Sequence, residues 1–324
     1  MRFRLIGPFE IETEDGEVRG AGTPKVSQTL ALLLMRANEI VPAETLIREL
    51  WQGGAPRSAL NTVQTYIHHA RKLLTEAGRP ADQDRLLTLR SGGYMMRVDS
   101  ESVDVKVFER LVTQAGADLR ARRYESADAT LCQALAMWRG PLLVNVPAGD
   151  LLASQIARLE EIRVRALELR IEAWGLLGRQ RESIAELRVL VHDYPLNESF
   201  HGHLIASLYQ AGRRAEALQA YRHMHRILRD ELGLEPSAEI QRLHQEVLAP
   251  PAAYAESAGE PEPRRLALEQ AAGGGRASVP SGGPDRRAAG VAAPRRPPQR
   301  TASMNSPPSA PPSCRRPRTP GANA

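Results

Sequence analysis

The chain has 324 residues and a mass of 35.6 kDa, enough for about two domains, with 42% hydrophobic and 25% charged residues as in ordinary globular proteins. Residues 26–35, the longest uncharged helical run, are far short of the ~20 residues of a membrane span, and Met1-Arg2-Phe3-Arg4 opens no signal-peptide core. Two cysteines, Cys132 and Cys314, exclude a disulfide framework and a four-thiolate zinc site, and none of Lys25, Lys72 and Lys106 follows a glycine, which excludes a Walker-type phosphate loop.

The expectation is a soluble cytoplasmic protein with no membrane partner, no metal and no cofactor. The formal charge is +5, but residues 255–324 hold 11 Arg and 5 acidic residues, so the remainder is close to neutral at −1. A case for nucleic-acid binding must therefore come from local pattern and not from the isoelectric point.

Residues 2–6 and 9–12 alternate apolar and polar side chains, which predicts two half-buried strands punctuated by Gly7-Pro8 and Asp15-Gly16. A helix follows. Thr23 is placed to cap it, Pro24 suits its first position, and Val26, Leu30, Leu33, Leu34 and Ala37 share one face. A short helix is predicted over 43–51, a Gly-rich loop at 53–56, and a longer helix over 59–77 with Ser58 as cap and Gly78 as stop. Strands over 86–90 and 94–98, joined through Ser91-Gly92-Gly93, predict a hairpin. Three helices followed by a hairpin form the winged helix-turn-helix pattern.

Residues 102–248 read as helices throughout, and they repeat. Leu177-Gly178-Arg179 recurs as Ala211-Gly212-Arg213, with 34 residues from Gly178 to Gly212, the period of tetratricopeptide helix pairs. Trp174 falls at the phase of Leu208, and Leu187 at that of Tyr221. A weaker copy places Arg122-Arg123-Tyr124 against Arg179 onward at an offset of 57, with a loop near 138–141 interrupting the period. Two or three such pairs stack into a short superhelix. The fold class expected is mainly α with a small β component: a winged helix over 1–98, tetratricopeptide-like repeats over 102–248, and a tail over 255–324. The tail has 13 Pro and 8 Gly in 70 residues and no Ile, Phe, Tyr or Trp, a composition expected to stay disordered.

On a 100° wheel, Val63, Ile67, Ala70 and Leu74 make the buried seam of the 59–77 helix. Asn61, Thr65, His68 and Lys72 lie opposite, flanked by Thr62, Gln64, His69 and Arg71, with no acidic residue between Asn61 and Leu74. Amides, hydroxyls, imidazoles and cations suit phosphates and base edges in a major groove. Taken alone, the helix favours DNA contact over the alternative of a plain solvated surface. Arg90 at the hairpin tip suits a narrow minor groove, or is simply an exposed turn residue. Tyr94 is expected in the core, and Trp51 is expected to close the core beneath the loop. The His201/His203 and His223/His225 pairs, at i,i+2, point to different sides of a helix, whereas zinc on a helix requires i,i+4. No acid–base pair or activated nucleophile is evident, so the chain is not expected to be an enzyme.

Arg2-Phe3-Arg4-Leu5-Ile6-Gly7-Pro8-Phe9-Glu10, Leu30-Ala31-Leu32-Leu33-Leu34, Leu50-Trp51, Asn61-Thr62-Val63-Gln64-Thr65-Tyr66 and Gly93-Tyr94 resemble the Streptomyces antibiotic regulatory protein family. Phe108-Glu109, Ala136-Met137-Trp138-Arg139-Gly140-Pro141, Arg158-Leu159-Glu160-Glu161 and Asp230-Glu231-Leu232-Gly233-Leu234-Glu235-Pro236 resemble that family's bacterial transcriptional activator domain. The resemblance covers about residues 1–248. It implies an OmpR-like winged helix that binds double-stranded DNA at direct repeats near biosynthetic promoters, self-association on that DNA, and recruitment of RNA polymerase. The DNA-binding residues it implies are Asn61, Thr62, Gln64, Thr65, Tyr66, His68, His69, Arg71, Lys72 and Arg90. His68-His69 depart from the Arg-rich pattern of such helices and would make affinity pH-dependent, since imidazole titrates close to neutrality. A phosphoacceptor domain and an ATPase module are not expected here. The competing expectation is an interaction scaffold whose repeats bind protein and whose N-terminal part is a cap.

Overall fold

The computed structural model describes residues 1–78, 86–88 and 92–249, of which 1–248 form one compact unit. The predicted tail and Arg90 lie outside the described residues. In chain order the N-terminal half contains β1 (Arg2–Arg4), β2 (Glu10–Glu12), β3 (Val18–Gly20), α1 (Pro24–Met35), β4 (Val41–Pro42), α2 (Ala43–Trp51), α3 (Ala59–Ala77), β5 (Leu86–Thr88) and β6 (Gly93–Met96). After a 3-10 helix at Ser100–Ser102 come α4 (Asp104–Arg120), α5 (Tyr124–Leu135), α6 (Asp150–Leu176), α7 (Gln180–Asp193), α8 (Glu198–Gln210), α9 (Arg214–Leu232) and α10 (Ala238–Leu248). The mainly helical architecture is the one expected.

β1, β2 and β3 form an antiparallel meander in which Phe3 pairs with Ile11, both fully buried. A second sheet runs β4-β6-β5, with Val41 opposite Tyr94. β3 and β4 leave no strand signal in the sequence. β3 is exposed on every residue, and β4 is two residues long, so neither carries an alternating pattern.

α1 departs from the one-sided burial expected of it. Every residue from Val26 to Met35 is buried, because α2 and α3 pack on one side and α6 on another. Its polar side chains remain satisfied. The Ser27 hydroxyl donates to the Thr23 carbonyl at 2.8 Å, Thr29 to Lys25 at 2.8 Å, and the Gln28 amide to the Glu49 carbonyl at 3.0 Å. Neither expected N-cap side chain makes its bond. Ser58 sits at φ −90°, ψ 11°, outside the extended conformation that aims a capping oxygen at the first turn. Thr23 has the right backbone, but its hydroxyl caps nothing.

The helices pair as α4/α5, α6/α7 and α8/α9, with α10 closing against α8 and α9. The repeat turns share their hydrogen bond and backbone twist. The Arg179 N–H donates to the Trp174 carbonyl at 2.9 Å, as does Arg213 to Leu208, and Gly178 and Gly212 have φ of +70° and +74°. The upstream copy has the same turn at Arg123, which donates to Asp118 at 2.8 Å, with Arg122 at φ +59°. Arg123 is thus the counterpart of Arg179, so the offset is 56 and not 57. The left-handed residue that glycine occupies in the other copies is Arg122 here, which hid the register. Ala127, Ser183 and Ala217 then share one buried position. Asp128 locks the first pair to the next, accepting from Arg170 Nε at 3.2 Å, Trp174 Nε1 at 2.9 Å and Arg179 Nη1 at 2.7 Å.

A continuous seam joins the two halves. Asp104 at the start of α4 accepts from the N–H groups of Leu5 at 2.8 Å and Ile6 at 2.9 Å, and Phe3 bridges Val103. Burial pushes the Asp104 carboxyl up, opposed by these bonds and by Arg139. The Phe9 N–H donates to Asn145 Oδ1 at 2.7 Å, and Asn145 Nδ2 donates back to the Phe9 carbonyl at 3.2 Å. Arg139 pairs with Glu10 and lies over Gly7, whose φ of +120° and 3.0 Å clearance to the Arg139 Cβ both require glycine. On the far side Glu49 of α2 is 2% exposed and accepts from the N–H groups of Gly149, Leu151 and Leu152 at 2.6, 2.9 and 3.3 Å, satisfying the first turn of α6.

His201 on α8 is 1% exposed, with Nε2 3.0 Å from the Pro195 carbonyl. Burial holds its pKa below the ordinary value, and does the same for His203 and His244. A depressed imidazole costs nothing above the unfolded pKa of ~6.5. Below that, the unfolded chain takes up a proton that the fold refuses, so stability falls until the pH reaches the folded value. Urea unfolding at acidic and neutral pH is expected to show this loss, smaller in His201→Gln, which keeps a donor for Pro195 and does not titrate. An equal loss in both chains would remove His201 from the account.

Candidate nucleic-acid interface

α2 and α3 are set at their angle by residues 52–58. Gln52 ends α2 in the left-handed conformation at φ +45°, its N–H donating to the Arg48 carbonyl at 2.9 Å, and Gly53 continues at φ +95°. Val63, Ile67, Ala70 and Leu74 are each buried, as the wheel predicts, and they fix which face of α3 points outward. Asn61, Gln64, Thr65, His68, His69 and Lys72 are exposed. Thr62, Tyr66 and Arg71 are half-buried at its margin. The structure thus brings nine of the ten expected residues onto one helix, and the tenth, Arg90, is outside the described residues.

Their hydrogen bonds separate what each can do. The Thr62 hydroxyl donates to the Ser58 carbonyl and the Thr65 hydroxyl to the Asn61 carbonyl, both at 3.1 Å. Their protons are committed, which leaves an acceptor oxygen and a methyl group facing out, suited to a base amine or a thymine methyl and not to phosphate. The side chain of Gln64 makes no hydrogen bond among the described residues and keeps both donor and acceptor. Lys72 is 3.7 Å from Glu76, an exposed pair that gives up little to separate. Tyr66 faces inward, its ring stacked on Trp51 at 6.4 Å and 22°, so it supports the loop more than it reads a ligand. Arg71 lies by Tyr94, whose hydroxyl is pushed up by burial against the pull of that guanidinium. Tyr94 is 5% exposed and anchors the second sheet in the core. Arg57, exposed one residue before Ser58, is a further cation that the helical wheel passed over because it lies in the loop.

The chain matches two families. Residues 17–96 match one described as transcriptional regulatory protein, C terminal, and residues 103–248 match the bacterial transcriptional activator domain. The regulatory protein DnrI of Streptomyces peucetius is 36% identical over 251 residues, covering 76% of this chain and 92% of DnrI. The transcriptional regulator RedD of Streptomyces coelicolor is also 36% identical over 251 residues, covering 77% of this chain and 71% of RedD. The regulatory protein AfsR of Streptomyces griseus is 32% identical over 84% of this chain, but only 27% of AfsR is spanned. Among solved structures, Mycobacterium tuberculosis EmbR in complex with a low-affinity phosphopeptide superposes with a TM-score of 0.72 at 31% identity. That match covers 76% of this chain and 64% of EmbR. The relatives are regulators of transcription and not enzymes, and the chain belongs to the Streptomyces antibiotic regulatory protein family of transcriptional regulators.

Proposed function

We propose that the chain is a pathway-specific activator that binds direct repeats near promoters of antibiotic or other secondary-metabolite genes and recruits RNA polymerase. In this reading residues 1–98 bind DNA and residues 102–248 form the activator domain, while residues 255–324 lie outside the described residues. α3 enters the major groove with Asn61, Thr62, Gln64, Thr65, His68 and His69 toward base edges. Arg71 and Lys72 meet phosphates, Tyr66 holds the loop, and Arg90 adds a wing contact. The observation that carries the reading is the outward face of α3: a row of exposed amide, hydroxyl, imidazole and ammonium groups, free of carboxylates until Glu76. The relatives DnrI and RedD support the pathway class. Because residues 1–254 carry almost no net charge, one protomer gains little from phosphate attraction. Two protomers on adjacent repeats gain by mutual tethering. A protein reading chromosomal DNA works in the bacterial cytoplasm, at the nucleoid.

DNase footprinting of the chain on DNA flanking its own gene tests this. The expected result is protection of two evenly spaced direct repeats, weakened by His69→Ala and by Arg90→Ala. A blank footprint from folded protein favours the scaffold alternative, in which the repeats bind protein and the winged helix is a cap.

A further inference from the structure

The helical half carries an open groove of about 1110 Å³ between α4 and α6. Its floor is apolar, built on Val112 and Leu169, both nearly buried, and half-buried Ile162. Five cations and three carboxylates line it. Two of the carboxylates are already engaged: Glu101 takes Arg110 at 2.8 and 2.9 Å, and Glu109 takes Lys106 and Arg158. Arg165 reaches only its neighbour Glu168, at 3.3 Å, and neither Arg120 nor the third carboxylate, Glu172, has an ion-pair partner among the described residues. With five cations against three carboxylates, the groove offers a net positive lining beside apolar surface.

A second observation concerns its wall. Gly116 sits in the interior of α4, where glycine is the poorest helix former after proline. Packing does not demand it: a Cβ at 116 would meet nothing nearer than Arg120 Nη1 at 3.8 Å and Leu169 Cδ1 at 4.0 Å, both ordinary contacts. The missing side chain keeps the groove open next to its unpaired arginine.

We propose that this groove docks an acidic amphipathic helix of a partner protein. The inference rests on the reading that the helical domain engages a partner, and it names the surface and the partner's chemistry. A helix ~10 Å across fills such a volume in about two turns. Its apolar edge lies on Val112, Ile162 and Leu169, and its carboxylates meet Arg120 and Arg165. The apolar floor and the rim carboxylates disfavour a nucleic acid, whose charge is uniform.

The test uses the full chain and two fluorescent helical peptides of identical apolar stripe, one flanked by Glu and the other by Lys in the same places. Fluorescence anisotropy is expected to show the Glu peptide bound and the Lys peptide unbound. Gly116→Leu, which fills the groove, and Arg120→Glu, which reverses its charge, are each expected to weaken binding about tenfold or more. Gly116→Ala is expected to raise the melting temperature and keep the peptide, which shows that position 116 tolerates a side chain in the fold. Equal binding of the two peptides, no binding of the Glu peptide, or full binding by a folded Gly116→Leu chain would each overturn the proposal. The footprint is read on the same variants. A footprint retained while the peptide is lost confirms that the groove acts apart from DNA binding. Peptide binding without any footprint sustains the groove and refutes the DNA reading.

Discussion

Glu49→Ala is expected to lower the unfolding free energy of the chain by about 3 kcal/mol in urea titrations at neutral pH. The carboxylate is 2% exposed and accepts three backbone N–H groups from the first turn of α6, and the Gln28 amide at 3.3 Å. Removing it leaves donors at a helix N-terminus facing a void, each costing about 1–3 kcal/mol if no water enters. The lost charge–dipole attraction adds to this. The total stays below the sum because a truncated side chain admits water. Glu49→Gln keeps the shape but turns one acceptor into a donor facing another donor, so it restores only part of the loss. Gly149→Ala attacks the same contact from the other side. Its Cβ, fixed to the backbone, would lie 2.4 Å from the Glu49 carbonyl oxygen, and neither can step aside without a backbone shift. A loss of about 2 kcal/mol or more is expected. Since both changes break one junction, the double variant should lose less than the sum. Additive losses, or a Glu49→Ala chain as stable as the native one, would show that α2 and α6 are not held together here.

Gln64→Ala is expected to weaken operator binding by about 5- to 100-fold in gel-shift titration, with the loss concentrated on one base position. Gln64 is exposed on α3, and its amide is free to pair with a base edge. Lys72→Ala is expected to act differently: a few-fold loss on any sequence, and a salt slope shallower by about one. Its ammonium must first leave Glu76, a separation that costs little between two exposed groups. Tyr66→Phe is expected to leave DNA binding unchanged, because the ring stack on Trp51 needs no hydroxyl. If Gln64→Ala weakened all sequences alike while Lys72→Ala altered the preferred base, the assignment of base-reading and phosphate-holding positions along α3 would be reversed.

The limits of α2 and α3 were legible in the sequence because both helices carry a one-sided apolar period ended by glycine or by turn residues. The same holds for the 34-residue repeat, whose two strong copies place glycine where the turn needs a positive φ. The solvent face of α3 followed from its buried face, since a helix with four core residues on one stripe has no choice about the rest. What each exposed residue can donate was not legible, because it depends on bonds such as Thr65 to Asn61 that compete for the same proton.

The sequence by itself determined the order of the three N-terminal helices, the period of the helical pairs and the family, each of which rests on residues a few positions apart or on motifs read in line. Only the tertiary structure decided what those motifs are for. Leu5-Ile6-Gly7-Pro8-Phe9-Glu10 and Trp138-Arg139-Gly140-Pro141 lie more than a hundred residues apart, yet they meet at the seam through Gly7, Glu10 and Arg139. The structure also decided that α1 is buried on all sides, that Glu49 serves α6 and not its own helix, and that the weak repeat is shifted by one residue. The physical reason is common to all of these. Periodicity records which face of an element avoids water, whereas the partner that covers that face is chosen by contacts between distant segments, which leave no trace in local spacing.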